Sequence, residues 1–154
     1  MLFRSNGYMG AVALNPNTGH FVGYDGQYNI YDYDPVAHTR TTLSTSIPAS
    51  VGQNWAAAVD PIDNLFIFIT GDQYPPEYQY NNGPASKGYI RGYNLSTRAS
   101  IIWDDPSCNG APVYQAMGLE WDSALGLMVG YPSFGNQIIL LNSQPCLLYT
   151  SRCV

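Results

Sequence analysis

The feature that most constrains this chain is a pattern met three times along it. GAVALNPNTGHFVGY begins at Gly10, AAAVDPIDNLFIFIT at Ala56 and MGLEWDSALGLMVGY at Met117. Each is a stretch of small or apolar residues, a polar turn and a second apolar stretch. The turns fall at Asn15-Pro16, Asp60-Pro61 and Asp122-Ser123. An Asx side chain accepts from backbone amides two residues on, and proline presets φ, so these are turns between strands. First strands are expected near Met9 to Leu14, Trp55 to Val59 and Met117 to Trp121.

A third strand follows in each copy, at Ile30/Tyr33/Asp34, Ile90/Tyr93/Asn94 and Ile138/Leu141/Asn142. A fourth follows twice, at Thr39 to Leu43 and at Ala99 to Trp103. Asn15 and Asp60 lie 45 positions apart and Ile30 and Ile90 lie 60 apart, so the second copy carries a 15-residue insertion. That insertion, GDQYPPEYQYNNGPASK from Gly71 to Lys87, is a loop by composition. The first copy crosses the same gap with Asp25-Gly26-Gln27, and the third with YPSFGN. No stretch holds a helical period over three turns, and the apolar runs are short, β-branched and aromatic. The expected class is all-β, with three four-stranded antiparallel units at about 8–46, 54–105 and 113–145, the third incomplete.

Four strands recurring at about 45 residues is the spacing of β-propeller blades. The run of apolar strand, Asp-Pro-x-x-Asn, apolar strand and Ile-x-x-Tyr-Asp resembles blades of NHL-type and related six- to eight-bladed propellers. The resemblance covers most of residues 8 to 145. There is no Trp-Asp at the end of a third strand and no kelch double glycine. A β-sandwich is the competing architecture. Three blades cannot close a ring, so the resemblance implies further blades of the same protein as partners.

The ends of the chain bear on that. Cys146 to Val154, CLLYTSRCV, resembles the translation of a transposase mosaic-end sequencing adapter followed by its inverted copy. The natural sequence is then expected to break off near Pro145, and residues 146–154 to have no packing role. The start, MLFRSNGYMG, has no apolar core or small-residue cleavage site and does not read as a signal peptide. In a fragment that says nothing about secretion.

Composition narrows the partners. Of 154 residues only 11% are charged, with 6 Lys plus Arg against 11 Asp plus Glu and a net charge of −5. No basic patch is available to neutralise phosphates, which argues against nucleic acid and anionic membrane surfaces. No apolar run approaches the roughly 18 residues of a transmembrane helix. Few Lys, many Tyr, Asn, Ser and Thr, and the sequon Asn94-Leu95-Ser96 suit an extracellular protein.

No catalytic constellation is visible. His20 and His38 lack ligand spacing, Cys108 sits in a Pro-Ser-Cys-Asn-Gly turn, and phosphate-cradling or nucleophile-elbow motifs are absent. In propellers, the loops joining second to third strands and one blade to the next share the face that usually holds the ligand. Here that face gains Tyr74, Tyr78, Tyr80, Asn81 and Asn82 from the insertion. Tyr rings with Asn amides suit stacking on, and hydrogen bonding to, a glycan or peptide. Asp104 and Asp105, the only acidic doublet, could hold Ca²⁺ with loop carbonyls or open a turn before Pro106. Asp60 and Asp63 belong to a repeated turn. Glu120 and Asp122 flank Trp121 where a carboxylate could face a central channel. The function expected is a non-catalytic ligand-binding or interaction module; the alternative is a metal-assisted, gluconolactonase-like hydrolase carrying only part of its site. The nucleotide sequence that encodes this chain is expected to show the adapter from the codon of Cys146 onward; genomic DNA of the source encoding CLLYTSRCV in a continuous frame would refute it.

Overall fold

The computed structural model describes residues 10–26, 28–47, 56–71, 88–102, 117–132, 137–141 and 147–152. These residues contain strands and turns and no helix. The first sheet comprises β1 (Ala11–Leu14), β2 (Phe21–Tyr24), β3 (Ile30–Asp34) and β4 (Thr39–Ser44). The second comprises β5 (Ala56–Asp60), β6 (Leu65–Gly71), β7 (Gly88–Asn94) and β8 (Ser100–Ile102). The third comprises β9 (Met117–Asp122), β10 (Leu127–Pro132), β11 (Gln137–Leu141) and β12 (Leu147–Arg152). Each sheet is an antiparallel meander in chain order. The chain is therefore all-β, and the first and third strands fall within or overlap their expected segments, of which Met9, Trp55 and Asn142 lie outside the described residues.

Five hairpin turns are built alike. Asn15 Oδ1 accepts from the Asn17 amide at 3.0 Å. Asp60 Oδ1 accepts from Ile62 and Asp63 at 2.8 and 3.2 Å, and Asp122 Oδ1 from Ala124 and Leu125 at 2.8 and 3.1 Å. Asp34 does the same for Val36 and Ala37, and Asn94 for Ser96 and Thr97. Four residues after each Asx the backbone turns left-handed, at Gly19, His38, Asn64, Arg98 and Gly126. The Asx oxygen satisfies amides the ladder leaves free, and the left-handed residue returns the chain into register. His38 and Arg98 accept that conformation at a steric cost glycine avoids.

The turns fix corresponding registers in the three sheets. Leu14, Phe21 and Tyr33 lie side by side in the first sheet. Val59, Phe66 and Tyr93 do so in the second, and Trp121, Met128 and Leu141 in the third. Ile30, Ile90 and Ile138 each precede the last member of their row by three residues.

Successive strand residues face opposite sides, so each sheet has two faces. One interface joins Ala11, Val22, Tyr24 and Ile30 of the first sheet to Val59, Phe66, Phe68 and Tyr93 of the second. Tyr24 stacks on Phe68 with ring centroids 4.7 Å apart. The Tyr93 hydroxyl crosses the interface to donate to the Leu43 carbonyl at 2.9 Å. The other interface joins Ala56, Ala58, Leu65 and Ile67 to Met128, with Leu119 and Trp121 packed against them. The second sheet is thus covered on both faces, which is why β6 reads LFIFI without polar alternation. β5 lies beside both β1 and β9. Gly10 is forced by a close approach, since a Cβ there would fall on the Tyr24 carbonyl.

Residues 147–152 depart from expectation. They pair as β12 along β11, with a bulge between Leu140 and Leu141, so the third sheet has four strands where three were expected. An uncovered edge presents unpaired amides and carbonyls to any strand-forming segment in reach, and LLYTSR carries the β-favouring Tyr and Thr. Pairing of this kind follows from the open edge whatever the origin of the segment.

The buried aromatic row carries the stability. Phe66→Ala is expected to cost about 3–5 kcal/mol, as for other fully buried aromatics, measured by denaturant unfolding. A loss below about 1 kcal/mol would show that the interface between the first two sheets does not form.

Candidate functional site

The residues singled out for binding, Tyr74, Tyr78, Tyr80, Asn81, Asn82, Asp104 and Asp105, lie outside the described residues. The strand ends that border their segments are described. β6 ends at Gly71, paired with Gly88 at the start of β7, and β8 runs back toward that same edge, where Ile102 pairs with Arg91. These strand ends share one rim of the second sheet, opposite the Asx turns at Asp60 and Asn94.

A groove runs where the three first strands converge. It has a volume of about 480 Å³ and is lined by Ala13 and Leu14 of β1, Ala57 to Val59 of β5, and Leu119 to Trp121 of β9. Small side chains on β1 and β5 leave the space open. A second hollow of about 610 Å³ continues over β9 and Val129. Glu120 borders both and is exposed. Asp122 borders the second, but one of its oxygens is held by the turn amides of Ala124 and Leu125. Of the two carboxylates flanking Trp121, Glu120 is the one without a turn to hold. Trp121 packs toward the second sheet, so its indole and the Glu120 carboxylate belong to opposite faces of β9. The groove lies toward the Asx-turn end of the first strands, away from the rim that borders residues 72–87.

One charged cluster escaped the sequence. His20 Nδ1 meets Asp32 Oδ2 at 2.7 Å, and Nε2 lies 3.5 Å from Asp34 Oδ2. The cross-strand register makes the contact, since Val22 faces Asp32 and Phe21 faces Tyr33. Twelve and fourteen residues separate these groups in sequence, so only the hairpin joins them. The Asp32 hydrogen bond, helped by the charges of Asp32 and Asp34, raises the His20 pKa above its ordinary 6.5 against a smaller desolvation effect. Asp34 is lowered, chiefly because its carboxylate accepts the Ala37 and Val36 amides. Among the described residues no group of three or more His, Cys, Asp or Glu is arranged to hold a metal ion.

The structure gives Asn94 a mechanical role: its Oδ1 closes the β7–β8 turn, and Ser96 of the sequon accepts from Asn64 Nδ2 at 2.8 Å. Asp60 and Asp63 likewise resolve into a turn, with Asp60 buried and bonded to the Asp63 amide. Compared with known proteins, the chain matches no protein-family model and no curated protein at a significant level.

The His20 cluster predicts a pH dependence. A folded pKa raised above the unfolded value adds stability that is complete below the unfolded value and is lost as pH rises through the folded one. The wild-type chain is therefore expected to lose stability as pH rises from the ordinary imidazole value of 6.5 through the raised folded value, and His20→Ala to flatten that slope. Urea midpoints across this range measure it; equal slopes would show that the ion pair makes no contribution.

Proposed function

We propose that the chain is part of a non-catalytic, ligand-binding β-propeller of the NHL-like kind, acting outside the cell and taking a glycan or peptide at its tyrosine-rich rim. The observation that carries this is the arrangement of the first strands. β5 lies between β1 and β9, and the three meanders pack face to face outward from them, as blades do around a channel. Strand polarity supports the choice of rim, because the ends bordering residues 72–87 and 103–116 lie together at one edge of the second sheet. Three tyrosines and two amides can bury a flat ligand face while supplying directional hydrogen bonds, and neither group needs a charge.

Binding is tested with glycan and peptide arrays, followed by titration of the hits. Tyr74→Ala, Tyr78→Ala and Tyr80→Ala combined are expected to weaken binding at least about tenfold, a loss that needs only about 1.4 kcal/mol. Glu120→Gln, in the groove at the other end of the first strands, is expected to leave affinity within about twofold. Loss with Glu120→Gln alone would move the ligand into the groove. Metal-dependent turnover of a lactone or ester, with no array hit, would replace binding by hydrolysis as the function.

A further inference from the structure

An asparagine amide has two ends of different chemistry, an oxygen that accepts and an NH₂ that donates. At Asn94 the turn uses only the oxygen. Oδ1 accepts from the Ser96 and Thr97 amides at 2.9 and 2.8 Å, and two backbone donors fix which end of the group faces the turn. Nδ2 makes no hydrogen bond among the described residues and is not buried. The other turns of this kind show that the nitrogen is spare. Asp34, Asp60 and Asp122 do the same work with carboxylates, which have no N–H to offer. Asn94-Leu95-Ser96 is the one Asn-x-Ser/Thr triplet in the chain; the other turn asparagine, Asn15, is followed by Pro16 and Asn17.

The turn holds this triplet at the surface in one conformation. Leu95 packs inward against the interface between the first two sheets, and its amide donates to the Asn64 carbonyl at 2.9 Å. The Asn94 amide donates to the Ala99 carbonyl and the Arg98 amide to the Asn94 carbonyl, at 2.9 and 2.8 Å. Ser96, Thr97 and Arg98 are exposed. β7 runs from Gly88 to Asn94. At about 3.3 Å per residue, the turn therefore stands about 20 Å from the rim that borders residues 72–87. It joins the last two strands of its sheet, away from β5, whose Ala57 to Val59 line the groove.

We infer that Asn94 is an N-glycosylation site, with an oligosaccharide joined through its anomeric carbon to Nδ2. The donor is a lipid diphosphate-linked oligosaccharide. A new N–C bond replaces one Nδ2–H bond, the lipid diphosphate leaves with the electron pair of its C–O bond, and the proton passes to water. The product is still an amide. Oδ1 keeps its lone pairs, so both turn bonds survive, and the sugar occupies the end of the group that the turn does not use. The Ser96 hydroxyl, which the acceptor motif requires, takes a hydrogen bond from Asn64 Nδ2 at 2.8 Å once the hairpins have formed. A glycan here leaves the tyrosine-rich rim open. The inference rests on the extracellular part of the proposed function and not on its ligand.

The test is secretion of the 154-residue chain behind a cleavable leader from a eukaryotic cell line, with peptide mapping before and after peptide-N-glycosidase. Wild type is expected to carry a glycan on the Asn94 peptide, removed by the enzyme to leave aspartate at that position. Ser96→Thr is expected to keep the glycan, and Ser96→Ala and Asn94→Asp to lose it. Asn94→Asp retains the turn acceptor, so the glycosylated chain is expected to match its circular dichroism spectrum. Unmodified Asn94 on the translocated chain, read in cells as well as in the medium, would overturn the inference. So would a glycosylated chain that lacks the β spectrum Asn94→Asp retains, because the folded turn would then not accommodate the sugar. An array ligand bound by a chain unmodified at Asn94 would remove this inference alone; a glycan at Asn94 with no array hit would support it and remove the ligand alone.

Discussion

Everything else in this structure depends on sheets packing on sheets. A four-stranded meander of short strands buries too little apolar surface to stand alone, and each of these sheets becomes stable by covering its neighbour's face. Phe66 and Phe68 meet Tyr24 and Val22 across one boundary, and Met128 meets Ile67 across the other. Each fully buried side chain of this size adds on the order of 1.5–3 kcal/mol. The second sheet, covered twice, is the centre of the stack. The first and third each have one face for which the chain supplies no cover among its described residues.

The Asx turns make that packing reproducible. A one-residue slip in any hairpin would turn its apolar row to the wrong face. Asn15, Asp34, Asp60, Asn94 and Asp122 prevent the slip by capturing backbone amides with a side-chain oxygen. The side-chain bond between turns, from Asn17 Nδ2 to the Pro61 carbonyl at 2.8 Å, ties the first sheet to the second at the same end. Local turn chemistry and long-range burial thus specify the same register, which is the consistency expected of a sequence that encodes one fold.

The two ends of the strands differ in what their side chains are used for. At one end the Asx turns are short and committed to structure, and the groove beside them offers one free carboxylate, Glu120. At the other end the second sheet carries the tyrosine-rich insertion, and the chain passes from one sheet to the next. The division follows from connectivity. A tight turn uses its polar groups on its own backbone, whereas a long connection leaves side chains to spare for a ligand.

The strands, their order and the Asx turns after the first strands were legible in the sequence because each depends on residues within a few positions of one another. Asn15-Pro16 and Asp60-Pro61 announce their turns, and the apolar runs on either side of them announce the strands. Recurrent spacing extended this to the correspondence of Ile30, Ile90 and Ile138. Of the candidate site, the sequence yielded the pair flanking Trp121, but not that Asp122 closes a turn while Glu120 borders the groove. It did not yield His20 with Asp32 and Asp34, because that contact exists only after cross-strand pairing brings them together. It missed β12 as well, since a strand at an open edge is decided by the unpaired backbone beside it rather than by its own pattern. Local hydrogen bonding and periodicity are written along the chain; which carboxylate is free, which face is covered and which edge is filled are properties of neighbours in space, and only the tertiary structure decided them.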